Sequence, residues 1–168
     1  MHAIRPLAAL GAAVTLAASL AAACARVRTS PSPDAAVAAA PAASDREAAE
    51  REIVDMMTRS AAAWNRGDLD AFVSDYRPGV RTTYIGRSAV IRGPDPIRAV
   101  YAPRFAPGAV RDSLSFEDTE VDLLAPGVAN VISWYVLSRG DSVVRRGPTS
   151  LVMLREGGRW RIVHDHSS

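Results

Sequence analysis

The run Gly158-Arg-Trp-Arg-Ile-Val-His-Asp-His-Ser-Ser168 constrains the fold more than any other stretch of the sequence. It reads as a β-strand that closes a sheet. Side chains alternate across a strand, which places Trp160, Ile162, His164 and His166 on one face and Asp165 on the other. An aromatic and an aliphatic group followed by two imidazoles suit a strand that runs from a packed interior into a polar pocket. The expectation is a sheet with a cavity at one end and both imidazoles facing that cavity.

The segments ahead of this strand give an α+β order. Ser44 and Glu47 have the spacing of a capping box at a helix start. Ile53, Met56, Met57, Ser60, Ala63 and Trp64 then recur on one helical face, and Gly67 closes the helix. Asp68 caps a short second helix with Leu69, Phe72, Val73 and Tyr76 inward, ended by Pro78-Gly79. Val80 to Gly86 and Ser88 to Arg92 read as two short strands. Gly93-Pro94-Asp95-Pro96 opens a third helix, with proline allowed in its first turn. From there strands dominate: Leu114 to Leu124, Val128 to Ser138, Val143 to Arg155, then the closing strand. Arg139-Gly140-Asp141-Ser142 is a hairpin turn, and Gly147-Pro148 predicts a bulge or bend in the strand that follows. Helices first and a strand meander after is α+β, not alternating β/α.

The segment Val128 to Ser138 is largely apolar on both faces. Ala129, Val131, Ser133, Tyr135 and Leu137 share one; Asn130, Ile132, Trp134 and Val136 share the other. A sheet with one solvated face should alternate apolar and polar. Both faces are therefore expected to be covered, one by the helices. For the other, a second copy of the chain is the economical cover, through Ile132, Trp134 and Val136.

The N-terminus reads differently. Residues 1–24 carry Arg5, then the apolar stretch Leu7 to Leu20, then small residues before Cys24, in the order of a secretory signal. The stretch is short for a membrane span, which takes about 20 apolar residues. Cys24 is the single cysteine of the 168 residues, so no internal disulfide can form. Leu20-Ala-Ala-Ala-Cys24 resembles the lipobox of bacterial lipoproteins, which implies lipidation at Cys24 and a place at the cell envelope, facing the periplasm or exterior. Ordinary cleavage at an Ala-x-Ala site, giving a soluble exported protein, is the alternative. Residues 25–43 are Ala, Pro and Ser with few large apolar groups, the composition of an unfolded tether. As a coil its ends would lie about 25 Å apart. Residues 44–168 hold one domain.

The formal net charge is only +2, and every basic residue apart from histidine is arginine. The arginines are scattered among acids without interleaved aromatics, so no nucleic-acid surface is expected. A metal commonly takes three or four protein ligands. The third histidine is His2, in the signal, so neither a metal nor a cofactor is expected.

Three stretches carry a family resemblance. Trp64-Asn-Arg-Gly-Asp68-Leu-Asp-Ala-Phe72 resembles a first helix junction, Gly93 through Ile97 to Tyr101 a third helix, and Gly158 to Ser168 a last strand. All three are similar to the SnoaL-like branch of the nuclear transport factor 2-like superfamily. The resemblance implies a cone: a strongly bent antiparallel sheet packed on three N-terminal helices, with a pocket at the wide end and dimers through the outer sheet face. Relatives include isomerases, polyketide cyclases, dehydratases and association domains without chemistry, so the fold alone does not assign an activity.

The expected function is binding of a small, mostly apolar molecule in that pocket, with acid/base chemistry of isomerase or cyclase type open. His164 and His166 are the catalytic candidates, since imidazole titrates near neutral pH. Tyr84, Tyr101 and Tyr76 are the ligand-binding candidates; Trp64 reads as core. The alternative is a non-catalytic dimeric association module with a vestigial pocket.

Overall fold

The longest helix, α1 (Ala43–Arg66), lies along the sheet because one stripe of it is apolar. Ile53, Met56, Met57 and Trp64 are buried on that stripe. Gly67, at φ 82°, ends it in the left-handed region, and its amide bonds the last-turn carbonyls. The start differs from expectation. The N-cap is Ala42 with no side-chain cap, so the Ser44/Glu47 spacing does not form a capping box. The computed structural model describes residues 40–86 and 88–168. Cys24, the signal and most of the tether lie outside the described residues.

Helix α2 (Leu69–Val73) is capped by Asp68, which accepts from the Ala71 amide at 2.9 Å. It stops before Tyr76. That residue instead forms a parallel bridge to Ile162, flanked by two 2.8 Å backbone bonds between Asp75, Arg77 and Ile162. Strands β1 (Thr83–Ile85) and β2 (Val90–Arg92) make the small hairpin, and α3 (Pro94–Tyr101) follows, extended by a 3₁₀ turn (Ala102–Phe105). Strands β3 (Ser113–Ala125), β4 (Val128–Arg139), β5 (Ser142–Glu156) and β6 (Arg159–Ser167) form the meander.

The six strands form one bent sheet in the order β2-β1-β6-β5-β4-β3. All neighbours are antiparallel except β1 and β6, which run parallel. The parallel pair follows from the Tyr76 bridge, which lays the chain alongside β6 before β1 begins.

The strands bend where an extra residue breaks the ladder, because a bulge kinks its strand and sharpens the twist. Asp118 and Thr119 oppose Ser133, with Asp118 at φ 50°. Ser133, fully buried, donates to Glu117 O at 2.9 Å and bonds Thr119 Oγ1 at 2.8 Å, which holds this bulge. Val144 and Val163 are the unpaired residues of β5 and β6. Gly147-Pro148 is not a bulge; its pairing with β4 is continuous. Glycine is needed there for close approach. A Cβ at Gly147 would collide with Ser168 O and fall 2.6 Å from the Tyr135 hydroxyl.

Two packed groups fill the inner face. Ile53, Met56 and Met57 meet Ala129, Val131 and Met153 from the strands. Trp64, Phe72 and Leu114 form the second group, with Tyr101, Phe105, Tyr135 and Leu137 against it. Trp64 is edge-on to Phe72 and Phe105 at 5.2 Å. Its indole donates to Asp112 O at 2.8 Å, and Asn65 bonds Leu114 reciprocally, so the end of α1 is stitched to β3.

Candidate active site

Between these two groups lies a cavity of about 370 Å³, within the range of small-molecule pockets. Its wall is mostly apolar and aromatic. α1 supplies Met56, Met57 and Trp64, β1 supplies Tyr84, α3 supplies Tyr101, and the meander supplies Phe116, Tyr135 and Leu151.

One acidic side chain lines it: Asp165, 5% exposed. The tyrosine of the Ile162 bridge sits beside it, and Tyr76 Oη donates to Asp165 Oδ2 at 2.5 Å. Ser167 Oγ donates to Asp165 Oδ1 at 2.7 Å. Tyr101 Oη lies 3.3 Å from Tyr76 Oη, and Thr149 Oγ1 lies 2.8 Å from Ser167 Oγ. A carboxylate only accepts. With Tyr76 and Ser167 each donating to it, Tyr101 donates to Tyr76 and Thr149 donates to Ser167. Every hydroxyl hydrogen of the network therefore points toward Asp165.

Burial pushes the Asp165 carboxyl above its ordinary value, against the pull of the bonds from Tyr76 and Ser167 and of nearby His164 and His166. Burial, reinforced by the Asp165 charge, holds the Tyr76 and Tyr101 hydroxyls well above the usual phenol value. The site thus joins a carboxylate whose ionised form is disfavoured to phenols that keep their protons.

His164 and His166 are not in the cavity wall, and this corrects their expected orientation. Trp160 and Ile162 do face inward, as expected from the strand period. Val163 then adds one unpaired residue: Met153 pairs with Ile162, and Val152 pairs with His164. The alternation reverses across it. Asp165 and Ser167 turn inward, His166 is exposed, and His164 Nδ1 meets Thr83 Oγ1 of β1 at 2.6 Å.

Tyr76, Tyr84 and Tyr101 line the cavity together, with Tyr84 and Tyr101 ring centroids 5.6 Å apart. Sequence reasoning set Asp165 on the face away from the pocket and gave Ser167 and Thr149 no place in the site. No residue type marks the bulge that turns them inward. The one available signal was chemical: an acid and a serine flanking His166 near a strand end.

The residues assigned to a paired outer face do not behave alike. Ile132 is 49% exposed, whereas Val136 is already 2% exposed in the single chain and has little surface left to bury. Trp134 is half-buried, with the Arg146 guanidinium stacked 4.1 Å above its ring.

Several solved structures share this architecture. A nuclear transport factor 2-like protein of unknown function from Shewanella oneidensis aligns with 27% identity and a TM-score of 0.62, over 71% of this chain and 98% of that one. A candidate scytalone dehydratase from Novosphingobium aromaticivorans aligns at 12% identity and a TM-score of 0.62, over 74% and 85%. A candidate calcium/calmodulin-dependent protein kinase II association domain from Xanthomonas campestris aligns at 17% and 0.55, over 70% and 85%. The last two show the fold alone. No curated protein matches the chain. The SnoaL-like domain family matches residues 53–168, a span that includes the cavity-lining aromatics and the whole Tyr101–Tyr76–Asp165 network; the chain belongs to that family, within the nuclear transport factor 2-like superfamily.

Proposed function

We propose that this SnoaL-like domain binds a small, mostly apolar molecule in its cavity and moves a proton on it, in the manner of an isomerase or cyclase. The observation that carries the reading is the placement of Asp165: a buried carboxylate, in an apolar cavity, at the focus of a chain of hydroxyl donors. A carboxylate has about four lone-pair sites, and Tyr76 and Ser167 occupy two. The rest can take a proton from a ligand carbon. The electron pair left behind moves onto a ligand carbonyl oxygen, to which Tyr84 of the cavity wall would donate. His164 and His166 take no direct part in this scheme.

Location and assembly complete the proposal. The signal-like residues 1–24 and the single cysteine support export and a lipid anchor at Cys24, with residues 25–43 holding the domain off the membrane. Mass spectrometry of the mature N-terminus tests this; an unmodified N-terminus would reject the anchor. The apolar outer positions of β4 support a homodimer. No role with nucleic acid is proposed.

Native mass spectrometry of the purified chain tests the binding reading directly, with a retained apolar small molecule as the expected result. The recovered molecule is then mixed with protein in D₂O and followed by NMR. Exchange of a carbon-bound hydrogen by the wild type, lost in Asp165→Asn, supports proton transfer. If nothing is retained, the non-catalytic association module takes the lead. If a molecule is retained but exchanges equally with Asp165→Asn, binding stands and the chemistry falls.

A further inference from the structure

Two neighbouring arginines on β5 have opposite surroundings. Arg146 pairs with Val136, faces outward, bonds Glu117 and Asp118, and stacks on Trp134. Arg145 pairs with Leu137 and lines the cavity, half-buried, with no acidic partner among the described residues. A second arginine, Arg104 of the 3₁₀ turn, is exposed at the cavity rim and also lacks an acidic partner among the described residues. Their neighbours meet one aromatic group. Phe105, next to Arg104, and Leu137, across from Arg145, pack against the same aromatic group. The backbone carrying Arg104 is fixed, because Arg111 donates to its carbonyl and stacks over the Phe105 ring.

The charge pattern of the cavity is therefore asymmetric. Asp165 is the one acidic side chain in the wall, and it is already satisfied by Tyr76 and Ser167. On β5, Leu151 is the partner of Asp165, and Arg145 lies six residues from it, roughly 20 Å of extended strand at about 3.3 Å per residue. An arginine side chain in the cavity wall, about 20 Å of strand from Asp165 in the case of Arg145 and with no ion pair among the described residues, has a charged fork left for a ligand.

We propose that the ligand is an organic anion: an aromatic body seated among Trp64, Phe72 and Tyr101, with one oxyanion group, a carboxylate or sulfonate, held by Arg104 and Arg145. The inference rests on the reading of the cavity as a binding site and adds the class of molecule that fits it. The anion marks the outer end of the ligand and leaves its uncharged end toward Asp165. A carboxylate or sulfonate at the Asp165 end would meet a like charge in a buried site, so the orientation is fixed by repulsion as well as attraction.

Two dyes with the same ring framework test it: 1-anilinonaphthalene-8-sulfonate and the uncharged N-phenyl-1-naphthylamine, each titrated by fluorescence into the full chain. The wild type is expected to bind the sulfonate about tenfold tighter, a preference that shrinks with added salt because the arginines are partly solvated. The Arg104→Gln/Arg145→Gln double variant should bind both dyes alike, with affinity for the neutral dye unchanged. Ala89→Trp, which places an indole at an exposed wall position, should weaken both dyes and so locate them in the cavity. Cavity binding of the neutral dye with no preference for the sulfonate, or a preference that survives in the double variant, overturns the anion site and leaves the binding reading intact. Failure to bind either dye, or binding indifferent to Ala89→Trp, overturns both.

Discussion

Tyr76 Oη and Asp165 Oδ2 lie 2.5 Å apart, joining the segment after α2 to the inward face of β6 through two buried residues. The bond exists because two backbone irregularities coincide. The parallel bridge from Tyr76 to Ile162 brings the phenol over β6, and the Val163 bulge turns the carboxylate up to meet it. The same relationship makes the stability of the fold depend on pH.

Asp165 binds its proton more tightly in the folded chain than in the unfolded one, since burial raises its pKa from 3.8. The sign follows by linkage. The folded state gains stability from this group below the unfolded value, and loses it as pH rises through the raised folded value. Asp165→Asn removes the titration. Plotted against pH from 3.8 upward, the stability difference between wild type and variant should drift in the variant's favour. Urea melts at a series of pH values check this. A difference that stays constant, or that drifts toward the wild type, would show that burial does not dominate. Asp75 is shifted in the same direction and is common to both proteins, so it cancels in the difference.

Gly147→Ala should destabilise the fold by about 1–3 kcal/mol, the usual cost of forcing extra atoms into a packed site. The new Cβ would fall on Ser168 O and the Tyr135 hydroxyl, and the 2.9 Å bond between those two would have to shift. Backbone on one side cannot yield as a flexible side chain would. Thermal or urea denaturation measures the change; a variant as stable as the wild type would mean that the end of β6 moves aside freely.

Much of the fold was legible because it rests on local rules. The apolar stripe from Ile53 to Trp64 gave α1, Gly67 gave its end, and the turn residues around Gly127 and Gly140 gave the meander. The tyrosines of the cavity were legible as aromatics on elements that converge. The orientation of the closing strand was not. A two-residue period carries His164 and His166 inward only if no residue is inserted, and Val163 is an ordinary strand residue whose bulge is imposed by pairing with β5. That one insertion exchanges the histidines for Asp165 and Ser167 and so changes the chemistry of the site. Gly147-Pro148 misled in the opposite sense. Its composition suggests a bulge or bend; the ladder is unbroken there, and the glycine serves the close approach of Ser168. Arg104 and Arg145 were hidden by number, among many arginines with no local feature to separate them.

The outer sheet face gives a test of assembly. Ile132, half exposed beside the Trp134–Arg146 stack, is the most exposed of the three β4 positions assigned to a paired face. Ile132→Asp would bury a charge if two copies meet there, which is costly unless it stays wet. Sedimentation equilibrium should show a wild-type dimer and a variant monomer with an unchanged melting profile. A monomeric wild type, or a dimer indifferent to Ile132→Asp, removes this face from the interface. Val136 is unsuitable for the same test, because a charge there would disrupt the single chain itself.

The direction of the hydroxyl network can be read from two conservative substitutions. Tyr76 donates to a buried carboxylate, whereas Tyr101 donates to another hydroxyl. Tyr76→Phe therefore leaves Asp165 Oδ2 without its donor. The expected loss is about 1–3 kcal/mol at neutral pH, the cost of orphaning a buried polar group, and it should exceed that of Tyr101→Phe. The bond from Tyr76 also favours the ionised form of Asp165, so its removal should push the carboxyl pKa further up. Tyr101→Phe should move it less, because Tyr101 bonds Tyr76 and makes no hydrogen bond to Asp165 itself. The Asp165 carboxyl carbon, followed by ¹³C NMR across pH, reports both values. If the two variants shift it equally, or if Tyr76→Phe lowers it, the hydrogens do not run from Tyr101 through Tyr76 to Asp165, and the donor order assigned to the network is wrong.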